Sequence, residues 1–444
     1  MKRSAAAFSA GPKSLALFEE EQDYLAPGLQ SIALYSKLAM ESGRGCVLKD
    51  EDGREYLDFV AGICVASVGH GHPEYARRLA EQAARLTVGS FTTKARLSFV
   101  KNLAKVTPGD LNRIQLYSSG AEAVEAALRL AKSRTKKFEV VSFWGGFHGK
   151  TGGVLGLLGD AFKHGLGPLM PGVYLSPYPN PYRCPFGASG EHDCAGHCLD
   201  FLRQTLRRAT SGALAAIIVE PIQGTAGNVI PPAGFLKSLK DLCREQEALL
   251  IADEMITGFG RTGAMFACEH DGVVPDIMTV GKGIAGGFPV SGVIASTETA
   301  SSLPWAAPSG SSSSYGGNPL ASAACDAALS IILSEKLVEN SRKVGAALLK
   351  RLQAMAGRLP WIGDVRGKGL LIGVELVKNP KTKEPLPAPI CREIFETALS
   401  RGLVTMAYNA SLRINPPLVI THDEAMRGAD ILEESLMAVY KRHG

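Results

Sequence analysis

The chain has 444 residues, of which 45% are hydrophobic and 20% are charged, a composition typical of globular proteins. This length predicts two packed domains rather than one. No uninterrupted apolar run approaches the roughly 20 residues that cross a bilayer, so we expect no membrane partner. The net charge of +5 is spread along the chain without a basic run, which argues against a nucleic-acid partner.

The first residues, MKRSAAAFSAGPKS, lack the apolar core of a signal peptide and predict a cytoplasmic protein. Nine cysteines, an odd number and mostly isolated, favour reduced thiols over a disulfide framework. Cys184, Cys194 and Cys198 are closer together, but their C-x9-C-x3-C spacing lacks the paired C-x2-C of a zinc knuckle. We expect a loop with reduced thiols there and no metal, with a structural metal site as the alternative.

The first clear element is a helix that begins after Ser118, with apolar residues at helical spacing in AEAVEAALRLAK. Its unpaired N–H groups and dipole favour an anion, and the small residues Ser119, Gly120 and Ala121 would let a phosphate approach closely. The same letters, S-S-G-A-E, also make an ordinary capped helix start. Both interpretations stay open from the residues alone.

Short β-branched runs then alternate with helical patterns, which is typical of a mostly parallel sheet covered by helices in an α/β fold. The region from 179 to 195, rich in proline, glycine and polar residues, is expected to be irregular. Ligands of open α/β sheets bind at the carboxyl ends of the strands. The predicted strands are 138–143, 215–220, 248–252, 276–280 and 289–294.

Acidic and basic residues stand at the ends of these strands. Lys282 lies in GKGIAGGFP, where flanking glycines allow a sharp turn and burial would lower the pKa of the amine, as a Schiff-base lysine requires. Asp253 ends an apolar strand, where a carboxylate needs a cationic partner such as a protonated pyridine nitrogen. The alternatives are an exposed G-K-G turn and an aspartate that only caps a turn.

Three further residues are candidates for binding a cofactor or a substrate. Phe147 follows strand 138–143 and could stack on a flat cofactor or pack in the core. Arg413, in the strand-like run LRINPPL, suggests a carboxylate partner, either internal or from a substrate. Glu220 is an acid at another strand end and could form an ion pair with Arg413 that opens for a substrate carboxylate.

After residue 320, long amphipathic helices and two predicted strands near 363–377 and 412–420 indicate a second, smaller domain.

Together these stretches resemble the class III pyridoxal-phosphate (PLP) aminotransferases, the family of ω-amino acid and 4-aminobutyrate enzymes. The likeness covers nearly the whole chain and rests on the order and spacing of several motifs. It implies PLP fold type I, with a large domain around a mostly parallel sheet at 76–325. A smaller α+β domain would combine residues 1–75 with 326–444. The motifs are DEDGREYLDFVAGICVASVGHGHP, YSSGAEAVEAALRLAK, GGFHGKT, VEPIQG, IADEMITGFGRTG, PDIMTVGKGIAGGFP, SYGGNPLASAA, DVRGKGLL and LRINPPL.

The resemblance also implies a role for each matching residue. Lys282 would hold PLP as a Schiff base and Asp253 would pair with the pyridinium nitrogen. The family implies a homodimer, or a dimer of dimers, with active sites at the interface. The further cofactor contacts would be Phe147 stacking on the ring, Ser119, Gly120 and Ala121 around the phosphate, Gln223 near the phenolic oxygen, and Ser314 reaching the phosphate from the partner subunit. The substrate contacts would be Arg413 on the carboxylate, Glu220 as its switchable partner, and Ile63 lining the pocket.

Two departures from the family concern the substrate. Lys150 follows the FHG motif where 4-aminobutyrate and acetylornithine enzymes carry an arginine, and lysine lacks the bidentate fork. Ile256 stands where those enzymes have glutamine, as in ω-amine:pyruvate aminotransferases. We therefore predict a ping-pong ω-aminotransferase that moves an amino group from an ω-amino acid or amine to pyruvate or 2-oxoglutarate. An amino-acid epimerase or racemase, or a decarboxylating transaminase, is the alternative on the same scaffold.

Overall fold

The computed structural model describes residues 8–188 and 190–444, and for His192 it describes the backbone only. Within these ranges the strands are β1 Met40–Arg44, β2 Val47–Asp50, β3 Glu55–Asp58, β4 Arg113–Tyr117, β5 Glu139–Phe143, β6 Val173–Ser176, β7 Leu214–Val219, β8 Leu249–Asp253, β9 Ile277–Val280, β10 Ser291–Ala295, β11 Ile362–Lys368, β12 Leu371–Asn379, β13 Glu384–Pro385, β14 Leu403–Val404 and β15 Ser411–Ile414.

The α-helices, in chain order, are α1 Pro12–Gln22, α2 Ser31–Ser36, α3 Ala61–Cys64, α4 Pro73–Ala83, α5 Lys94–Leu103, α6 Gly120–Thr135, α7 Gly152–Leu155, α8 Glu191–Ala209, α9 Phe235–Glu245, α10 Thr297–Ala300, α11 Pro319–Ser334, α12 Leu337–Ala356, α13 Ala388–Ser400 and α14 His422–His443. Contacts divide the described residues into two compact units. The first combines the residues up to Pro73 with Asn340–Gly444, and the second is Glu74–Glu339. The boundary expected between 325 and 326 lies inside α11.

The second unit is built on a seven-stranded sheet in the order β4-β10-β9-β8-β7-β5-β6. The five strands from β9 to β6 are parallel, and β10 runs antiparallel to both of its neighbours. β7, LAAIIV, is buried along its whole length, as expected for a parallel strand covered on both faces. The mostly parallel sheet predicted from the sequence is confirmed.

Helix α6 packs against this sheet through its small and apolar residues. Val124, Ala127 and Leu128 belong to one buried cluster with Ile218 of β7 and Ile251 of β8. The helical spacing in AEAVEAALRLAK therefore identified the face that the helix buries.

The first unit holds two smaller sheets. One has the order β1-β2-β3-β14, in which β14 is parallel to β3 and pairs Leu403 with Leu57. The other is β11-β12-β13, with β15 added antiparallel on β12. Strands β1, β2, β3 and β14, like β4 and β6 of the second unit, were absent from the sequence predictions.

Three local predictions need correction. The region 363–377 holds two strands, β11 and most of β12, because Gly369 adopts φ +55° and reverses the chain. The strand expected near 412–420 ends at Ile414, since Pro416 and Pro417 cannot donate to a ladder. The irregular region 179–195 ends early, because α8 begins at Glu191.

Candidate active site

Four neighbouring strands of the second unit, β5, β7, β8 and β9, are parallel and end at the same edge of the sheet. Asp253 is the last residue of β8, Glu220 directly follows β7, and Lys282 lies two residues beyond β9. Phe147 and His148 follow β5. This edge is where open α/β sheets bind their ligands.

The carboxylate of Asp253 is held from three sides. Its Oδ2 lies 2.6 Å from Nδ1 of His148, and both side chains are only 1% exposed. Its Oδ1 accepts hydrogen bonds from Oγ1 of Thr279 at 3.0 Å and from the backbone N–H of Met255 at 3.2 Å. Thr279 is also the register partner of Asp253 across β8 and β9, so the ladder itself brings the hydroxyl into place.

The charged residues at this edge shift the pKa values of His148 and Glu220. Burial by itself lowers the pKa of His148, but the hydrogen bond and charge of Asp253, with the charge of Glu220, outweigh it and raise that pKa, against an opposing effect of Lys282. Burial raises the pKa of Glu220, although its carboxylate accepts N–H bonds from Phe147 at 2.9 Å and Gly224 at 3.0 Å.

Lys282 has the backbone angle φ +45°, which is uncommon for a residue with a side chain. Its amine forms no hydrogen bond or ion pair with any residue in the described ranges. The preceding Gly281 lets the chain pass close to Met255, because an added Cβ would lie 2.5 Å from the Met255 sulfur. The side chain of Lys282 is thus partly buried at the strand edge, without a hydrogen-bond or ion-pair partner among the described residues.

Helix α6 begins close to Met255, which lies two residues after Asp253 in the chain. Ser119 is the N-cap residue, and its Oγ accepts a hydrogen bond from the backbone N–H of Glu122 at 3.3 Å. A Cβ on Gly120 would lie 3.2 Å from the sulfur of Met255, and Ala121 packs against Gly149. The small residues at the helix start therefore allow a close approach of the neighbouring segments, and the first backbone N–H groups of a helix have no acceptor within it.

Two aromatic rings and a lysine follow β5. The rings of Phe147 and Phe162 meet edge to face with centroids 5.7 Å apart. The ammonium of Lys150 lies 4.4 Å from the Phe162 centroid and 5.9 Å from the Phe147 centroid, within the range of cation–π attraction.

Gln223 is buried, and its Nε2 donates to the carbonyl of Trp144 at 2.8 Å, which joins the loop after β7 to the loop after β5. Ser314 is exposed on this chain, in a serine-rich segment that Tyr117 fixes by donating to the carbonyl of Ser311 at 2.8 Å.

The remaining two expected site residues, Arg413 and Ile63, belong to the first unit. Arg413 lies on β15, paired with Gly373 of β12, and its charge opposes the rise that burial causes in the pKa of Tyr408. Ile63 lies in α3, where it has φ +65° and ψ +59°. All four residues of α3 have positive φ, so this segment is a left-handed turn.

Comparison with known proteins identifies the family. The sequence model of the family described as "Aminotransferase class-III" matches residues 32–436. The chain belongs to the class III aminotransferases. This aminotransferase is 36% identical over 438 residues to an alanine/serine racemase of Pyrococcus horikoshii, covering 96% of this chain and 91% of that protein.

It is equally 36% identical, over 405 residues, to a probable 4-aminobutyrate aminotransferase of Bacillus subtilis, with 89% and 92% of the two chains covered. A PLP-bound amine transaminase from an uncultivated Pseudomonas species has a similar structure, with a TM-score of 0.87, 29% identity and coverage of 95% and 99%. The expected PLP fold type I, the enzyme class and the cofactor PLP are confirmed.

The residues at the strand edge of this class III aminotransferase are compatible with PLP. A primary amine without an internal partner, a buried carboxylate and a helix start with unpaired N–H groups suit the aldehyde, the pyridine nitrogen and the phosphate respectively. In the described ranges, no group of three or more His, Cys, Asp and Glu side chains is arranged to hold a metal ion. No helix there is long and apolar enough to cross a membrane.

Sequence reasoning missed His148 and Thr279, which hold Asp253. Each carried a weak signal: His148 stands next to Phe147 in the FHG motif, and Thr279 is the one hydroxyl residue in the apolar strand IMTV. Their partner was hidden because Asp253 lies 105 residues from His148 in the chain.

Proposed function

We propose that this protein is an ω-aminotransferase that moves an amino group from an ω-amino acid or amine to a keto acid, pyruvate or 2-oxoglutarate, by a ping-pong mechanism. The observation that carries the proposal is the position of Lys282 and buried Asp253 at one edge of the sheet, where the Lys282 amine has no hydrogen-bond or ion-pair partner in the described ranges. The departures at Lys150 and Ile256 favour a donor other than a diacid-like amino acid.

We propose a role for each site residue. Bound PLP supplies an electron sink that stabilises negative charge on the substrate carbon. Lys282 Nζ would hold the cofactor and, when free, would take up the proton next to the donor nitrogen and deliver it. Asp253, held by His148 and Thr279, would pair with the pyridine nitrogen.

The proposed phosphate contacts are the backbone N–H groups at Ser119, Gly120 and Ala121. Phe147 is proposed to stack on the cofactor ring and Gln223 to approach its phenolic oxygen.

The proposed substrate contacts are Arg413 for the keto-acid carboxylate, Glu220 as the residue that offsets this charge, Lys150, and Ile63. Support for the Glu220 role comes from its two backbone N–H donors, which fix the carboxylate while burial raises its pKa. Replacing Arg413 with lysine should raise the KM for the keto acid more than the KM for an amine lacking a carboxylate, because only the acid uses the bidentate fork.

A second candidate is an amino-acid racemase. It is favoured by the similarity to the alanine/serine racemase of P. horikoshii and, at 35% identity over 411 residues, to a leucine/methionine racemase of Thermococcus litoralis. The two activities share the proton transfer at the carbon next to nitrogen and differ in whether the amino group leaves.

One experiment separates them. Purified protein with PLP is supplied with an amine and pyruvate or 2-oxoglutarate, and separately with a single amino-acid enantiomer in deuterated water without a keto acid. Formation of alanine or glutamate supports the aminotransferase. Racemisation with deuterium exchange at the α-carbon, without amino transfer in the first reaction, overturns it in favour of the racemase.

The role of Lys282 has its own test. Lys282→Ala should lose the visible absorption band of covalently held PLP and its fixation by borohydride, whereas Lys150→Ala should keep both. A borohydride-fixable band in Lys282→Ala would assign the attachment to another lysine.

We also propose a homodimer in which Ser314 contacts the phosphate bound to the partner subunit, as its exposure in this chain allows. Mixing Lys282→Ala and Ser314→Ala chains should then restore one complete site per mixed dimer. A mixture with no more activity than the sum of the two variants, or a monomer in sedimentation, contradicts the proposal.

A further inference from the structure

Three cysteines, which we call the thiol cluster, lie in contact with one another: Cys184, Cys194 and Cys198. Cys184 ends the short turn Pro181–Arg183 and is partly exposed. Cys194 and Cys198 are one helical turn apart on α8, and both are buried. The Cys194 thiol contacts Cys184 on one side and Cys198 on the other. The irregular chain before α8 thus brings one accessible thiol onto two buried ones.

The segment after Cys184 turns back on its sulfur. The N–H of Gly187 donates to the carbonyl of Cys184 at 3.0 Å, and Gly187 has φ +70°. Backbone N–H groups of Phe186, Ala188 and Gly187 point at the sulfur. A ring of backbone N–H groups of this kind stabilises an anion. Burial acts to raise the pKa of Cys184, but the Cys194 thiol and these N–H groups outweigh it and lower the pKa.

The pKa values of the other two thiols, Cys194 and Cys198, are raised. Burial, together with the neighbouring sulfurs, raises the pKa of Cys194 well above its ordinary value, and burial raises the pKa of Cys198 to about 12. A partly exposed thiol of lowered pKa beside a buried thiol of raised pKa is the arrangement of an attacking and a resolving cysteine.

We propose that Cys184 and Cys194 form a reversible oxidation site for small hydroperoxides. The Cys184 thiolate attacks the terminal oxygen of the hydroperoxide, the O–O bond breaks, and the leaving alkoxide, or hydroxide from hydrogen peroxide, takes a proton from solvent to form an alcohol or water. The resulting sulfenic acid is attacked by the Cys194 sulfur, whose proton leaves with the hydroxide as a second water. Two thiols and one hydroperoxide thus give one disulfide, one alcohol or water, and one water.

The geometry favours this chemistry over metal binding, because the described residues hold no group of three His, Cys, Asp and Glu side chains arranged as metal ligands. The proposal is independent of the amine substrate, since the thiol cluster contains none of the residues assigned to the strand edge.

The test treats the full-length, PLP-loaded protein with hydrogen peroxide, alkylates the remaining thiols after denaturation, and maps the peptides by mass spectrometry. We expect loss of two of the nine thiols per chain, a Cys184–Cys194 linkage, and recovery with dithiothreitol. Cys198→Ser is the matched control and should form the same linkage. Cys194→Ser should instead leave a Cys184 sulfenic acid that dimedone traps.

A second measurement concerns the thiolate and does not depend on the linkage. The rate of Cys184 alkylation by iodoacetamide should reach its plateau at a lower pH than for an ordinary thiol. Cys194→Ala should shift that profile upward, and Cys194→Ser, whose hydroxyl can donate, should largely restore it. The PLP absorption band and the melting temperature verify that each variant is folded. An unreactive Cys184, a Cys194–Cys198 linkage, or stoichiometric zinc that must be chelated before the thiols react would overturn the proposal.

Discussion

At the scale of single residues, the strand edge of the second unit concentrates two acids and two bases. Asp253 and His148 form a buried pair. The charge of Glu220 also raises the pKa of His148, whereas the charge of Lys282 lowers it. Burying one uncompensated charge costs several kcal/mol, so opposite charges at this edge stabilise one another. His148 therefore holds the Asp253 carboxylate in position through their 2.6 Å contact.

Replacing His148 with asparagine should destabilise the cofactor-free chain by about 1–3 kcal/mol near pH 6, since it removes a charged partner of buried Asp253. The pKa of His148 in the folded chain is raised above the unfolded value of about 6.5. Its contribution is therefore complete below that pH and is lost as the pH rises through the folded pKa. Melting temperatures of both proteins, measured from pH 6 to 9, should converge on the alkaline side.

The exposed His422 provides the control, because its contact with Asp423 at 3.4 Å is a solvent-exposed pair. His422→Asn should leave the melting temperature nearly unchanged at every pH. A constant gap between wild type and His148→Asn across the range would mean that the histidine acts through packing and not through its charge.

At the scale of elements, the left-handed turn α3 stores strain that its neighbours offset. Left-handed backbone costs roughly 1–2 kcal/mol per residue with a side chain, and α3 contains three such residues, Ala61, Ile63 and Cys64. Buried Asp58 stabilises the entry to the turn: its Oδ1 accepts from the N–H groups of Val60 at 2.7 Å and Ala61 at 2.9 Å. Its Oδ2 lies 2.8 Å from Nε2 of His70.

Asp58→Ala should lower the free energy of unfolding by about 2–5 kcal/mol, because two buried N–H groups lose their acceptor. Asp58→Asn retains one oxygen for them and should cost clearly less. Thermal or urea unfolding of the two variants beside wild type measures the difference. Equal losses would show that the charge pair with His70, and not the capping of α3, is what Asp58 contributes.

The loop after β5 depends on one glycine for its approach to α6. Gly149 has φ +118°, and an added Cβ would lie 2.5 Å from Cβ of Ala121. We expect Gly149→Ala to cost at least about 2 kcal/mol, from backbone strain and overlap together, and to weaken PLP binding because it moves Phe147 and the helix start. Gly152 meets nothing within 4 Å, so Gly152→Ala should stay within about 0.5 kcal/mol of wild type. Calorimetry and PLP titration of both variants check this, and a neutral Gly149→Ala would contradict it.

At the scale of the whole molecule, the first unit is assembled from segments far apart in the chain. The parallel pair β3 and β14 joins Asp58 to Val404. Helices α12 and α14 are connected by Glu433, which binds Arg351 and, at 2.6 Å, Arg358. Although burial opposes it, the hydrogen bonds and charges of these arginines lower the pKa of Glu433.

Glu433 should therefore stabilise the first unit at neutral pH and lose this effect in acid. A folded pKa below the unfolded value of about 4.3 means that the contribution is present above that pH and disappears as the pH falls through the folded pKa. Glu433→Gln should cost about 1 kcal/mol at pH 7, and its melting temperature should meet that of wild type near pH 3. Glu434→Gln, at an exposed neighbour, should change little at either pH.

Much of the second unit could be predicted from sequence because its information is local. Apolar runs of strand length, a helical repeat and a residue at each strand end identified the sheet, helix α6 and the positions of Glu220, Asp253 and Lys282. The first unit was harder to predict from the sequence. Its strands β1, β2, β3 and β14 are only two to five residues long, and β14 pairs with β3, which lies hundreds of residues earlier in the chain.

The sequence by itself determined the family, the cofactor and the strand-end positions, since these depend on motif order and on periodicity. The tertiary structure decided which side chains hold Asp253, that α3 winds to the left, and that Cys184 meets Cys194. Each depends on atoms brought together by folding: a ladder that sets Thr279 beside Asp253, a carboxylate that caps strained backbone, and a turn that directs N–H groups at a sulfur. Spacing along a chain does not encode such distances.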